Sequence, residues 1–152
     1  MALSDERIWI LGGQDGNGEL DSTEFVTRDG AVNGPTLPEA VEGHCSVKLN
    51  ELIYLIGGYS TGTTNNVWVA NPSNGYAFVQ GPSMITGRYH HSCGTMSIGS
   101  RSIIIAAGGY GKFQNGKIAL SSVEILDPLS NQWVEGKKSI SYVFICIILI
   151  RA

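Results

Sequence analysis

Apolar residues in this chain come in short runs that alternate with polar positions at a period of two and are cut by glycine, which predicts strands. Three of the runs share a shape, an apolar strand closing on two glycines: IWILGG to Gly13, IYLIGG to Gly58 and IIIAAGG to Gly109. The intervals between them are 45 and 51 residues. Each strand is expected to end at its double glycine, where a Cβ would clash or φ is positive. A polar loop and a second, alternating strand should follow, at Thr23–Val26, Val67–Ala70 and Val123–Leu126. In the second and third copies Asn71-Pro72 and Asp127-Pro128 stop that strand, because proline fixes φ and has no N–H for a ladder.

Other landmarks keep step with the glycines. Gly34-Pro35 recurs as Gly81-Pro82, and His44 recurs 47 residues on as His91. Four short strands repeating at about 50 residues are the signature of a propeller blade, a twisted sheet that buries both faces only against its neighbours. The predicted fold class is therefore all-β, an incomplete propeller of about three four-stranded blades. The units fall near residues 8–42, 43–87 and 88–136, within a repeat region of 1–136. The first unit lacks the strand that should precede Ile8, and three blades fall short of the four to eight that close a ring.

The order IYLIGGY, loop, VWVANP, Phe78, Gly81-Pro82, Arg88, His91 resembles the kelch repeat, and VEILDPLSNQW in the third copy is the best match. The resemblance covers roughly residues 8–136, with Ala31 standing where the first copy should have an aromatic. It implies a protein-interaction propeller. Trp68, Phe78 and Trp133 are assigned to packing between blades, where large aromatic area is most valuable.

Glycine at 20 of 152 residues and only 15% charged residues suit strands joined by tight turns. The net charge of −3, with scattered Lys and Arg, gives no footprint for nucleic acid or an anionic membrane. Three cysteines, Cys45, Cys93 and Cys146, make an odd count at wide spacing, and no signal-peptide core follows Met1. These features favour a reducing compartment, so the expected location is cytoplasmic. The tail 137–152 contains an apolar run from Tyr142 to Ile150, far short of the roughly 20 residues of a membrane-spanning helix. It reads either as one further strand or as an unrelated terminus.

Candidate chemistry is sparse. His44-Cys45 and His90-His91-Ser92-Cys93 cluster metal-ligand types, but the two repeat-equivalent histidines sit where the kelch pattern itself carries one, and an inner-strand structural role is preferred. DGNGELD spaces oxygens like a calcium loop yet has Leu20 where glycine is required, and reads as an exposed turn. Gly109-Tyr110-Gly111-Lys112 is followed by Phe113 and makes no phosphate cradle. No metal, cofactor or catalytic residue is expected.

The resemblance places partner contacts just after each double glycine and at the arginine before the inner strand. The matching positions are Gln14, Tyr59, Tyr110 and Arg88, with Glu42 near the place of Arg88 in the first copy. Tyrosines offer rigid flat area with a polar tip, and an arginine grips a carboxylate with two donors. Asn65 and Asn66, with Gln114 and Asn115, would add hydrogen bonds from the same loops. The expected function is a non-enzymatic module binding a protein or peptide, a fragment of a ubiquitin-ligase substrate receptor. The alternative is a fragment of a propeller enzyme such as a metal-dependent oxidase. A homodimer through the open propeller ends is a further expectation.

Overall fold

The computed structural model describes residues 7–113 and 116–136. Within them the chain is β throughout, apart from one 3-10 turn at Pro72–Asn74. The first blade is a three-stranded antiparallel sheet of β1 (Ile8–Asp15), β2 (Gly18–Thr27) and β3 (Gly30–Asn33). The second has four strands in sequence order, β4 (Cys45–Leu49), β5 (Leu52–Tyr59), β6 (Thr63–Ala70) and β7 (Phe78–Gln80). The third joins β8 (Ser92–Ile98), β9 (Arg101–Ala107), β12 (Val123–Asp127) and β13 (Gln132–Glu135). Between β9 and β12 it inserts a separate hairpin, β10 (Tyr110–Phe113) and β11 (Gly116–Ala119).

The blades stack face to face, and the alternation of side chains decides which face meets which neighbour. On β5, Ile53 and Leu55 join Trp9, Leu11 and Phe25 of the first blade in one core. Tyr54 and Ile56, one residue out of phase, join Ile104, Ala106, Leu126 and Trp133 of the third. The central strand is thus buried on both sides, which is why IYLI reads as an unbroken apolar run. On β1 only Trp9 and Leu11 are covered, and Ile8 and Ile10 remain about half exposed at 51% and 48%. The three expected aromatics all pack at these junctions, Trp68 and Phe78 against the first core and Trp133 within the second.

One expectation about the double glycines changes. The strands do not end there in the first two blades. Pairing shifts register between Leu11 and Gly13 and between Ile56 and Gly58, then resumes to the hairpin tips. The pair is a bulge that bends the strand while leaving it in its ladder. Only in the third blade does Gly108-Gly109 interrupt the sheet, and pairing restarts as the β10–β11 hairpin. The glycine requirement itself holds, with positive φ at Gly12, Gly13, Gly57, Gly58, Gly108 and Gly109.

The bulge also ties each blade to the next. Gly13 donates its N–H to the Val41 carbonyl and Gly58 donates to that of Arg88, both at 2.8 Å. The repeat equivalent of Arg88 in the first copy is therefore Val41, and Glu42 matches Tyr89. Single bridges confirm this register, Glu42 pairing with Tyr59 and Tyr89 with Tyr110. The two proline turns also match: Asn71 Oδ1 accepts from the Ser73 N–H and Asp127 Oδ1 from the Leu129 N–H, each at 2.9 Å. The apolar tail, including Cys146, lies outside the described residues.

Candidate functional site

The junction of the second and third blades opens into a groove of about 540 Å³. The β5–β6 hairpin supplies one wall through Tyr59, Thr61 and Thr63, and the β10–β11 hairpin supplies the other through Lys112 and Lys117. Tyr89, from the connection between the blades, lines it as well. Its ring sits between the other two tyrosines, with centroids 5.4 Å from Tyr59 and 5.7 Å from Tyr110, both tilted. The Lys117 ammonium lies 5.1 Å from the centre of the Tyr110 ring, a cation–π distance that holds a positive charge at the rim. Tyr59 and Tyr110 are half-buried, while Lys112 and Lys117 are exposed. The arrangement is a row of rigid aromatic faces with two cations on one side, suited to gripping a protruding segment of another chain.

Two of the expected contact residues, Tyr59 and Tyr110, are brought together here. The others are not. Arg88 is fully buried, and its guanidinium donates to Glu124 at 2.6 Å, to the Gly108 and Ser122 carbonyls and to the Ser122 hydroxyl. Glu124 in turn accepts the backbone N–H groups of Ile85 and Thr86. Arg88 therefore anchors the connector to the third blade, and no donor face is offered to a carboxylate outside. Asn65 and Asn66 are half-buried, with their amides directed inward to the Met84 carbonyl and to Glu39 Oε1. Glu39 also takes the Trp68 indole N–H at 2.8 Å. Gln14 is exposed near the tip of the first hairpin, away from the groove lining, and Gln114 and Asn115 lie outside the described residues.

Tyr89, Lys112 and Lys117 were missed by the sequence reading. Tyr89 was legible in principle as the aromatic beside Arg88. The lysines lie on β10 and β11, the third blade's counterpart of the β1–β2 and β5–β6 hairpin tips, where the other copies carry no lysine, so no repeat comparison could point to them.

Below the groove, the inner strands begin with histidines. His91 is buried and His44 nearly so, and burial is the main force that lowers both imidazoles, to about 3 and about 4. The Arg88 charge lowers His91 further. Neither His91 nitrogen nor Nδ1 of His44 has a hydrogen-bond partner among the described residues, so both rings act as neutral packing groups. No group of three or more His, Cys, Asp or Glu among the described residues is placed to hold a metal ion. Cys45 and Cys93 are joined by a disulfide between β4 and β8. This departs from the reading of the cysteines as thiols of a reducing compartment: residues distant in sequence meet because blade stacking brings equivalent strands together.

Residues 99–138, from the end of β8 through β13, match the family model for the kelch motif. These residues carry a kelch motif, and the sheets around them have the architecture of a partial kelch-repeat propeller. A comparison with curated proteins finds no match. The kelch-repeat architecture supports a general protein-interaction module. Among the described residues no helix is long and apolar enough to cross a membrane.

Proposed function

We propose that this kelch module binds a protein or peptide in the groove between its second and third blades, with Tyr59, Tyr89 and Tyr110 as the contact faces. The observation that carries the reading is the tyrosine row itself, Tyr59 and Tyr89 lining a groove flanked by Lys112 and Lys117, with the Tyr110 ring 5.7 Å from that of Tyr89. Tyrosine contributes large contact area at low entropic cost, and lysines at a rim steer association. Gln14 would contribute only to a partner that reaches across to the first hairpin. Residues 8–42, 43–87 and 88–136 serve as the repeat units of this module.

The test is to select peptides from a displayed library on the intact chain and then measure the affinity of the best binder for Tyr59→Ala and Tyr110→Ala. A loss of tenfold or more at an unchanged melting temperature supports the groove. Equal affinity in both variants overturns it.

The finer role, substrate recognition in a cullin-type ubiquitin ligase within the cytoplasm, rests on the kelch resemblance. It predicts co-assembly with the ligase scaffold in cells, and a partner whose ubiquitination is insensitive to this protein would refute it. Homodimerisation is supported by Ile8 and Ile10, which hold the register positions that Ile53 and Leu55 fill when buried. A second chain's third blade would cover them. Sedimentation showing a monomer at micromolar concentration would exclude that pairing.

A further inference from the structure

Cys45 and Cys93 are separated by 48 residues in sequence, with Cα atoms 5.9 Å apart. They are not repeat equivalents. Since His44 matches His91, Cys45 matches Ser92 and Cys93 lies one position further along its strand. Successive side chains on a strand point to opposite faces, so the one-residue offset is what makes the two sulfurs meet. Cys45 pairs across its sheet with Ile56, which faces the third blade. Cys93 pairs with Ala106, which faces the second. The bond thus crosses the junction that carries the tyrosine groove, one of whose walls belongs to each blade.

We propose that the Cys45–Cys93 pair is a redox-controlled staple that regulates this groove. The proposal rests on the reading of the groove as the partner site. With the bond formed, the innermost strands of the two blades are locked and the distance between the Tyr59 wall and the Lys112 wall is set. With it broken, the third blade shifts against the second and the groove loses its fixed width. The exchange partner is a small thiol/disulfide couple of the glutathione class. A thiolate attacks one protein sulfur, breaking the Sγ–Sγ bond and leaving a mixed disulfide and one cysteine thiolate. A second thiolate resolves the mixed disulfide, so that both cysteines end reduced by two electrons and two protons and the small thiol leaves oxidised. Both cysteines are only half-buried, which leaves them open to this attack. Disulfides of reducing compartments, where they occur, are of this transient kind.

The test uses the whole chain carrying Cys146→Ser, equilibrated in glutathione buffers of stepped reduced-to-oxidised ratio. Differential alkylation reads the thiols, and amide exchange by mass spectrometry reads the groove. Cys45 and Cys93 are expected to titrate together. Reduction should speed exchange at least fivefold at residues 59–64, 110–113 and 116–120, leave β2 of the first blade unchanged, and be reversed by re-oxidation. Free thiols at both positions in fully oxidised glutathione would overturn the proposal, and so would identical groove exchange in the two states. A rise in exchange across all three blades would also overturn it, since the bond would then serve stability alone. Neither readout involves a partner. Failure of the Tyr59→Ala and Tyr110→Ala test would therefore remove the groove reading while leaving the blade coupling measured here intact.

Discussion

Arg88 and Glu124 form an ion pair at 2.6 Å with both side chains excluded from solvent, at 0% and 1% exposure. Every oxygen of the carboxylate and all but one of the guanidinium nitrogens has a partner, Arg88 Nε being the exception. Such a pair is weak evidence of net stabilisation, but removing one member leaves the other buried and uncompensated. Arg88→Ala should therefore lower unfolding stability by about 3–5 kcal/mol. Replacing both, as in Arg88→Met with Glu124→Leu, should recover part of that loss. Urea unfolding of the three variants checks this, and a stable Arg88→Ala that fails only in partner binding would return Arg88 to the surface role first expected of it.

That reversal shows what the sequence carries. The double glycines, the proline turns and the recurring histidines are local, since each requirement lies in the backbone at that residue, so the repeat and its strands were legible. The role of Arg88 depends on Glu124, 36 residues away on a strand of the next blade, and nothing in either segment names the other. The groove depends on the β10–β11 hairpin, which, unlike the tips of β1–β2 and β5–β6, pairs apart from its blade's sheet. The disulfide depends on an offset of one residue between two inner strands. Period-two alternation explains that offset once blade contacts are known, but it does not supply them.

At the double glycine the argument is steric. A Cβ on Gly57 would lie 2.6 Å from the Arg88 carbonyl oxygen, and φ there is +58°. Gly57→Ala should cost about 1–3 kcal/mol in backbone strain, with the overlap added. Gly16, at the tip of the first hairpin, has open space around its would-be Cβ and no positive φ. Gly16→Ala should change stability by less than about 0.5 kcal/mol. Thermal melts of the two variants side by side provide the comparison, and equal melting temperatures would contradict the close blade approach.

The Cys45–Cys93 bond closes a loop of 48 residues. On the chain-entropy account a loop of that length contributes roughly 4 kcal/mol by restricting the unfolded chain. Cys45→Ser and Cys93→Ser should each lower stability by a similar amount under oxidising conditions, and the double variant should lose no more than either alone. Under strong reductant all forms should converge. Chemical denaturation with and without dithiothreitol tests this, and additive losses in the double variant would mean that the two residues act separately.

His44 and His91 make stability depend on acidity in a defined direction. In the unfolded chain both imidazoles take up protons near pH 6.5, whereas in the fold burial delays this to about 4 and about 3. Between those limits the unfolded state binds more protons, so stability is complete above pH 6.5 and falls as pH drops toward 3. Within the window each histidine contributes about 1.4 kcal/mol per pH unit. The melting temperature should therefore decline from pH 7 to pH 5, before most carboxylates titrate, and His44→Gln with His91→Gln should flatten the decline. If the double variant keeps the wild-type slope over that interval, the two rings are not the source, and their burial has no energetic consequence for the propeller.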